Sequence, residues 1–291
     1  EKIMLIERIE PQGFCFGVIR AIKIAKKTAN DNPNTTIYIL GMLVHNRYVV
    51  DELKSLNLIT LDTLNNDKEE LLRTIKPGIL ILTAHGTDNR LKQLAITLGF
   101  KIVDATCPNV SKTQKIIKDK LAAGYEILYL GKAGHPEAEA IISLDPEHIH
   151  LIDSPKTATD FNLEHKAYFI TTQTTLSILD TQQQFEILKK RIPNALIQTE
   201  ICDATTKRQQ AILNSPDYEG YIIIGDPRSN NTKQLYRIAE TKHPKYLTMI
   251  ESKDQLNLQA ISSLKSLGIT SGASTPSYLV AQVIESLKSL T

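Results

Sequence analysis

The sequence predicts an α/β protein of three similar small lobes with mostly parallel sheets, set pseudo-threefold around one central site. Three observations lead there. The cysteines of this 291-residue chain, Cys15, Cys107 and Cys202, are spaced 92 and 95 residues apart. Each precedes a stretch of helical character: FGVIRAIKIAKK, PNVSKTQKIIKDKLAAG and DATTKRQQAILN. Each of these leads to a short apolar strand ending in glycine, and four residues beyond that glycine stands His45, His135 or Ser229.

In chain order, the first helix begins just after Cys15, because Val18, Ile22 and Ala25 recur at helical spacing. The strand TIYILG then ends at Gly41, and ILILTAHG ends in the small polar run Thr83 to Gly86, which includes His85. The second helix has Pro108 where a first turn tolerates proline and Gly124 where a helix stops. Its strands are YEILYLG, to Gly131, and AYFITTQTT, with the polar tip Thr171 to Thr175. In the last third these become YIIIG, to Gly225, and LGITSGAST, with the tip Thr270 to Thr275. The lobes are therefore expected at 1–104, 105–200 and 201–291. Strands alternating with helices imply parallel sheets, which bind ligands beyond the carboxyl ends of their strands. Two ordinary doubly wound domains with scattered cysteines are the alternative; near-equal spacing with matching flanks favours three lobes.

Composition narrows the class of function. Lys+Arg 34 against Asp+Glu 32 gives a net charge of +2, and no large basic run is present, which argues against nucleic acid as partner. No apolar run reaches membrane-spanning length, and the opening EKIMLIERIE lacks a signal-peptide pattern. Three cysteines are too few for a disulfide framework and suit a reducing compartment, so a soluble intracellular protein is expected. Neither a P-loop nor a G-x-G-x-x-G fingerprint occurs. A redox enzyme of this kind would therefore take electrons from a carrier protein.

Backbone N–H groups at a helix start favour a thiolate, the form that binds metals, although cysteine also packs as a small buried hydrophobe. If the three cysteines converge they form a three-thiolate site. None belongs to a C-x-x-C pair, and a structural zinc ion would need a fourth ligand. A 4Fe–4S cluster, normally held by four cysteines, would keep one iron open to a substrate oxygen when held by three. Spacing leaves zinc and cluster both open. His45, His85 and His135 at strand tips, with Thr174, Ser229, Asn231 and Ser274 as neutral donors, suit a phosphate or diphosphate. Turn capping is the ordinary role of each taken singly. Glu137, in GHPE, is the natural proton donor if it reaches the reacting oxygen; simple surface exposure is its other reading.

The series GFCFGVIRAI, VHNRYVV, AHG, DATCP, GHPEAEA, TQTTLS, ATTKRQ, SNNT and SGASTP resembles the motifs of the 4-hydroxy-3-methylbut-2-enyl diphosphate reductase family, in order from Gly13 to about Val280. The resemblance implies a three-lobed fold around a 4Fe–4S cluster bound by Cys15, Cys107 and Cys202, with one open iron. It implies diphosphate binding by His45, His85, His135, Ser229, Asn230, Asn231 and Ser274. It gives Thr174 and Glu137 the substrate hydroxyl, with Glu137 in the proton path alongside His135. It further implies reductive dehydroxylation to isopentenyl and dimethylallyl diphosphates, an electron donor of ferredoxin or flavodoxin type, and a cytoplasmic, bacterial-type or plastid setting. Two departures stand out in GDPRSNNT: Asp226 and Pro227 replace a small and a lysine-like residue, and Asn230 replaces serine or glycine. Asp226 is accordingly expected to turn away from a diphosphate. Competing readings are a zinc-dependent hydrolase of a phosphorylated small molecule and a non-catalytic iron–sulfur sensor.

Overall fold

Runs such as ILIL, EILYL and GYIII have no polar face to offer water, so they suit strands covered on both sides, as in parallel sheets. All three are wholly buried strands in the computed structural model, which describes residues 4–288. The chain first runs through β1 (Leu5–Arg8), α1 (Phe16–Asp31), β2 (Ile37–Ile39), α2 (Arg47–Ser55), β3 (Leu58–Thr60), α3 (Lys68–Thr74), β4 (Ile79–Leu82) and α4 (Asn89–Thr97). It repeats the alternation in β5 (Lys101–Asp104), α5 (Pro108–Ala122), β6 (Glu126–Leu130), α6 (Pro136–Ile142), β7 (Ile149–Ile152), α7 (Pro155–Asp160), β8 (Tyr168–Thr172) and α8 (Ile178–Arg191). A third round comprises β9 (Leu196–Ile197), α9 (Asp203–Asn214), β10 (Gly220–Ile224), α10 (Asn230–Glu240), β11 (Tyr246–Ile250), α11 (Leu258–Ile261), β12 (Ser266–Ser271) and α12 (Ser277–Leu287).

Among the described residues the strands form three four-stranded sheets, ordered β3-β2-β4-β5, β7-β6-β8-β9 and β11-β10-β12-β1. Every pairing is parallel. The order is the same each time: the fourth place goes to the strand that precedes the next cysteine, and β1 takes that place in the third sheet. Here the structure departs from the expected division. Residues 5–8, grouped by sequence with 1–104, pair with β12 from Leu5↔Ser266 to Arg8↔Ile269.

The described chain separates into two compact units. One comprises 4–18, His45–Val49 and 203–288 and contains the β11-β10-β12-β1 sheet. On one side of that sheet Ile222, Ile224, Leu267 and Ile269 pack with Met4, Val280, Val283 and Leu287. On the other, Tyr221 and Ile223 pack with Ile9, Ile212, Leu235 and Ile238. The second unit, Ile19–Val44 and Val50–Cys202, contains the other two sheets. Its cores include Leu80 and Leu82 with Leu72 and Phe100, Leu128 and Ile170 with Leu188, and Ile127, Tyr129 and Phe169 with Ile117 and Ile141.

Candidate active site

Each cysteine stands immediately before a helix: Cys15 before α1, Cys107 as the N-cap residue of α5, Cys202 before α9. One hydrogen bond recurs at all three. The Cys15 N–H donates to Ala273 O at 3.0 Å, Cys107 N–H to Ala84 O at 2.9 Å, and Cys202 N–H to Thr174 O at 3.0 Å. Each acceptor lies on the polar tip after the third strand of a sheet, so the turn bearing each cysteine is pinned to the neighbouring strand end. All three residues are partly exposed. Gly13 adopts φ 73°, a left-handed conformation that favours glycine, in the turn that delivers Cys15. That turn is held by Gly13 N–H donating to Ser271 Oγ at 2.8 Å and by the buried Arg208, whose Nη2 donates to Gly13 O at 2.7 Å.

In the second unit Glu137 sits in the first turn of α6 and is buried, at 1% exposure. Thr174 grips it twice: its backbone N–H donates to Oε1 at 2.8 Å and its Oγ1 donates to Oε2 at 2.8 Å. Thr174 thus joins the acid to the Cys202 turn through its own carbonyl. Burial pushes the Glu137 carboxyl up to about 7, against the opposing pull of the Thr174 N–H, the Thr174 hydroxyl and the Tyr129 hydroxyl. His135 caps α6 with a ring nitrogen, Nδ1 accepting from Glu137 N–H at 3.1 Å. Using Nδ1 as acceptor places the imidazole proton of a neutral ring on Nε2, where it can be given to an anion. The His85 ring lies edge-on to His135, with centroids 5.6 Å apart.

In the first unit Ser229 caps α10, its Oγ accepting from Thr232 N–H at 3.3 Å. Asn231 Oδ1 accepts from Ala273 N–H at 2.9 Å, and its Nδ2 donates to Thr205 Oγ1 at 3.3 Å. Asn230 Oδ1 accepts from Gln234 Nε2 at 3.4 Å. Ser274 Oγ donates to His45 O at 2.9 Å. Desolvation lowers His45 to about 4; Asp226 opposes this, while Arg228 and Lys233 add to it. The ring is therefore neutral near pH 7 and can meet an anion as a hydrogen-bond donor rather than as a charge.

The LytB protein family profile matches residues 6–288. The chain belongs to the LytB family. A LytB relative from Symbiobacterium thermophilum, named 4-hydroxy-3-methylbut-2-enyl diphosphate reductase, is 39% identical over 98% of this chain and 97% of its own length. A Listeria monocytogenes protein of the same name is 40% identical over 97% of this chain and 85% of its own. The solved structure of the E-1-hydroxy-2-methyl-but-2-enyl-4-diphosphate reductase from Plasmodium falciparum superposes with a TM-score of 0.90, at 27% identity, over 98% of this chain and 88% of that one.

Within this LytB chain the structure brings Glu137, Thr174 and His135 together, with His85 against His135, and it joins Ser274 to the His45 backbone. The sequence order Gly-x-x-x-His/Ser places the N-cap at His135 and Ser229, but in the first repeat the cap falls one residue later. There Asn46 Oδ1 accepts from Tyr48 N–H at 3.0 Å, which leaves the His45 ring outside the cap. Asp226 is fully buried, and its carboxylate is closed by Arg228 through the N–H at 2.8 Å, Nε at 2.9 Å and Nη2 at 2.6 Å. The Arg47 backbone N–H donates to it as well. Two contributors were not read from sequence: Tyr129, and the ion pair of Lys112 Nζ with Glu200 Oε2 at 3.0 Å, which ties α5 to the segment before Cys202. A tyrosine within an otherwise aliphatic strand was the available signal for the first, since a buried hydroxyl needs a partner.

Proposed function

We propose that this chain reduces 4-hydroxy-3-methylbut-2-enyl diphosphate to isopentenyl and dimethylallyl diphosphates. Two electrons and two protons enter, the allylic carbon–oxygen bond breaks, water leaves, and one proton ends on carbon. The observation behind this reading is the buried pair of Glu137 and Thr174, an acid poised near neutrality with a hydroxyl at 2.8 Å, in a chain whose full-length relatives are named for this activity. The zinc-hydrolase alternative finds no support among those relatives.

Each of the three thiols is partly exposed at a helix start with its backbone N–H already bonded, and thiolates are the donors an iron–sulfur group takes. Cys15, Cys107 and Cys202 would hold it as a 4Fe–4S cluster, and when bound it supplies the electrons and Lewis acidity. The protein residues handle charge and protons. His45, His85 and His135, with Ser229, Asn230, Asn231 and Ser274, bind the diphosphate as hydrogen-bond donors; Ser274 does so by rotating its hydroxyl off His45 O. When Glu137 is protonated the 2.8 Å contact runs from its carboxyl to Thr174 Oγ1, so that Thr174 orients the substrate hydroxyl with its own proton and relays to it the one that Glu137 gives up. The resulting Glu137 anion is held by the Thr174 N–H until it is reprotonated. Electrons arrive from a protein carrier of ferredoxin or flavodoxin type.

The test is iron, acid-labile sulfide and zinc content of oxygen-free protein, together with turnover of the diphosphate under a low-potential reductant. About four iron and four sulfide per chain with substrate-dependent electron uptake support the proposal. A colourless zinc protein, or a cluster protein that leaves the substrate unchanged, overturns it.

A further inference from the structure

Glu137 has a neighbour that the reaction as described does not use. Tyr129 is wholly buried in β6, and its hydroxyl donates to Glu137 Oε1 at 3.3 Å. The three repeats provide an internal comparison. Two residues before the strand-ending glycines Gly41, Gly131 and Gly225 stand Ile39, Tyr129 and Ile223. Six residues after the same glycines stand Arg47, Glu137 and Asn231. The tyrosine thus occurs in the repeat that bears the carboxylate, at a position filled by isoleucine in the other two. Its ring is also tightly seated: a Cβ added to Gly131 would lie 2.7 Å from Tyr129 Cε1 and 3.2 Å from Leu151 Cδ1. Gly131 therefore makes room for the ring that aims the hydroxyl.

We propose that Tyr129 is a positioning residue for Glu137, holding the carboxylate in register with Thr174 and setting the pH at which the acid is available. This rests on the reading of Glu137 as proton donor. A hydroxyl donor stabilises the carboxylate more than the neutral acid, so removing it raises the proton affinity of Glu137. Among the described residues, the titratable groups facing Glu137 include Tyr129 from β6 and His135 from its own turn, with His85 from the β4 tip against His135.

The experiment compares wild type, Tyr129→Phe and Glu137→Gln as anaerobically purified cluster-loaded proteins. Infrared difference spectroscopy of protein labelled with 13C-glutamate follows the carboxyl titration without substrate, and Glu137→Gln identifies the band. In Tyr129→Phe the midpoint is expected to rise by about one pH unit, and the alkaline limb of kcat to move with it. KM is expected to stay unchanged. A lower Tm with an unmoved midpoint would show a packing role only and overturn the proposal. Should Tyr129→Phe fail to fold, 3,5-difluorotyrosine placed at position 129 keeps the ring and strengthens the donor. The midpoint must then fall, and an unmoved value again refutes the role. A shifted titration without turnover would sink the reductase reading and leave the Tyr129–Glu137 coupling standing. Normal turnover with an unshifted titration would do the reverse.

Discussion

A carboxyl group 1% exposed yet held by three donors is under two opposed pressures, and at Glu137 burial wins, leaving it near 7. This sets the direction of the pH response. Glu137 is protonated, and able to donate, below about 7, and loses that capacity as pH rises through this value. kcat is therefore expected to fall along an alkaline limb centred there, checked by steady-state turnover across pH with a donor that is not itself limiting. Glu137→Ala should lower kcat by about 10²–10⁴-fold while iron and sulfide content stay at wild-type values. Near-normal turnover would remove Glu137 from the proton path. Each of Cys15→Ala, Cys107→Ala and Cys202→Ala should instead lower iron and sulfide content, read by metal analysis and the visible spectrum; a full complement in any of them would take that cysteine out of the ligand set.

At the scale of the element, the turn before α10 shows how a carboxylate that would repel the proposed diphosphate is accommodated. Asp226 lies in the stretch GDPRSNNT, where an exposed carboxylate would repel a diphosphate. Its carboxylate accepts three contacts from Arg228 and one from the Arg47 N–H, while Ser274 Oγ bonds the carbonyl of His45. Asp226 and Ser274 together fix the backbone on either side of Asn46, which explains why His45–Val49 groups with the first unit. Asp226→Ala would leave the Arg228 guanidinium and the Arg47 N–H without this acceptor. The expected cost is about 2–4 kcal/mol of stability, measured by chemical denaturation, with Asp226→Asn losing less because an acceptor oxygen survives. Equal, negligible losses in both variants would show that the turn does not depend on this carboxylate.

The same element marks the boundary of what the sequence could tell. Helix starts after the cysteines, strand-ending glycines and polar tips were legible because each is written in a few neighbouring residues: apolar spacing, Pro108 at a first turn, Ser229 before a helix. The Glu137–Thr174 contact spans 37 residues, and only the resemblance suggested it. The Asp226–Arg228 pairing was not legible although the partners are two residues apart: repulsion says that Asp226 turns away from a diphosphate, but not which group receives it. Tyr129 was missed for the related reason that an aromatic residue in a strand reads as core, and its hydroxyl acquires meaning only once α6 is folded over β6.

For the whole molecule, the repeat has a consequence that no local pattern could reveal. A chain cut from a threefold series has to leave one sheet without its fourth strand unless the N-terminal segment returns to complete it, and β1 does so across more than 250 residues. Leu5 N–H donates to Lys265 O at 2.9 Å and Ile9 N–H to Ile269 O at 2.8 Å, while Met4 and Ile9 fill opposite faces of the sheet. Burial of two such side chains contributes about 3–6 kcal/mol, a large share of the stability of an ordinary domain. Removing residues through Ile9 should therefore release β12, seen as hydrogen exchange at Ser266–Ser271 at least about tenfold faster, with β4 and β8 in the other unit unchanged as internal references. The same strand leads through Gly13 to Cys15, so the truncated protein should also bind less iron. Ile9→Ala provides the milder version, with an expected loss of about 2–5 kcal/mol and the same exchange pattern at reduced amplitude. If β12 keeps its protection in the truncated chain, the sheet does not need its returning strand, and Cys15 must be positioned by Arg208, Ser271 and the Ala273 carbonyl.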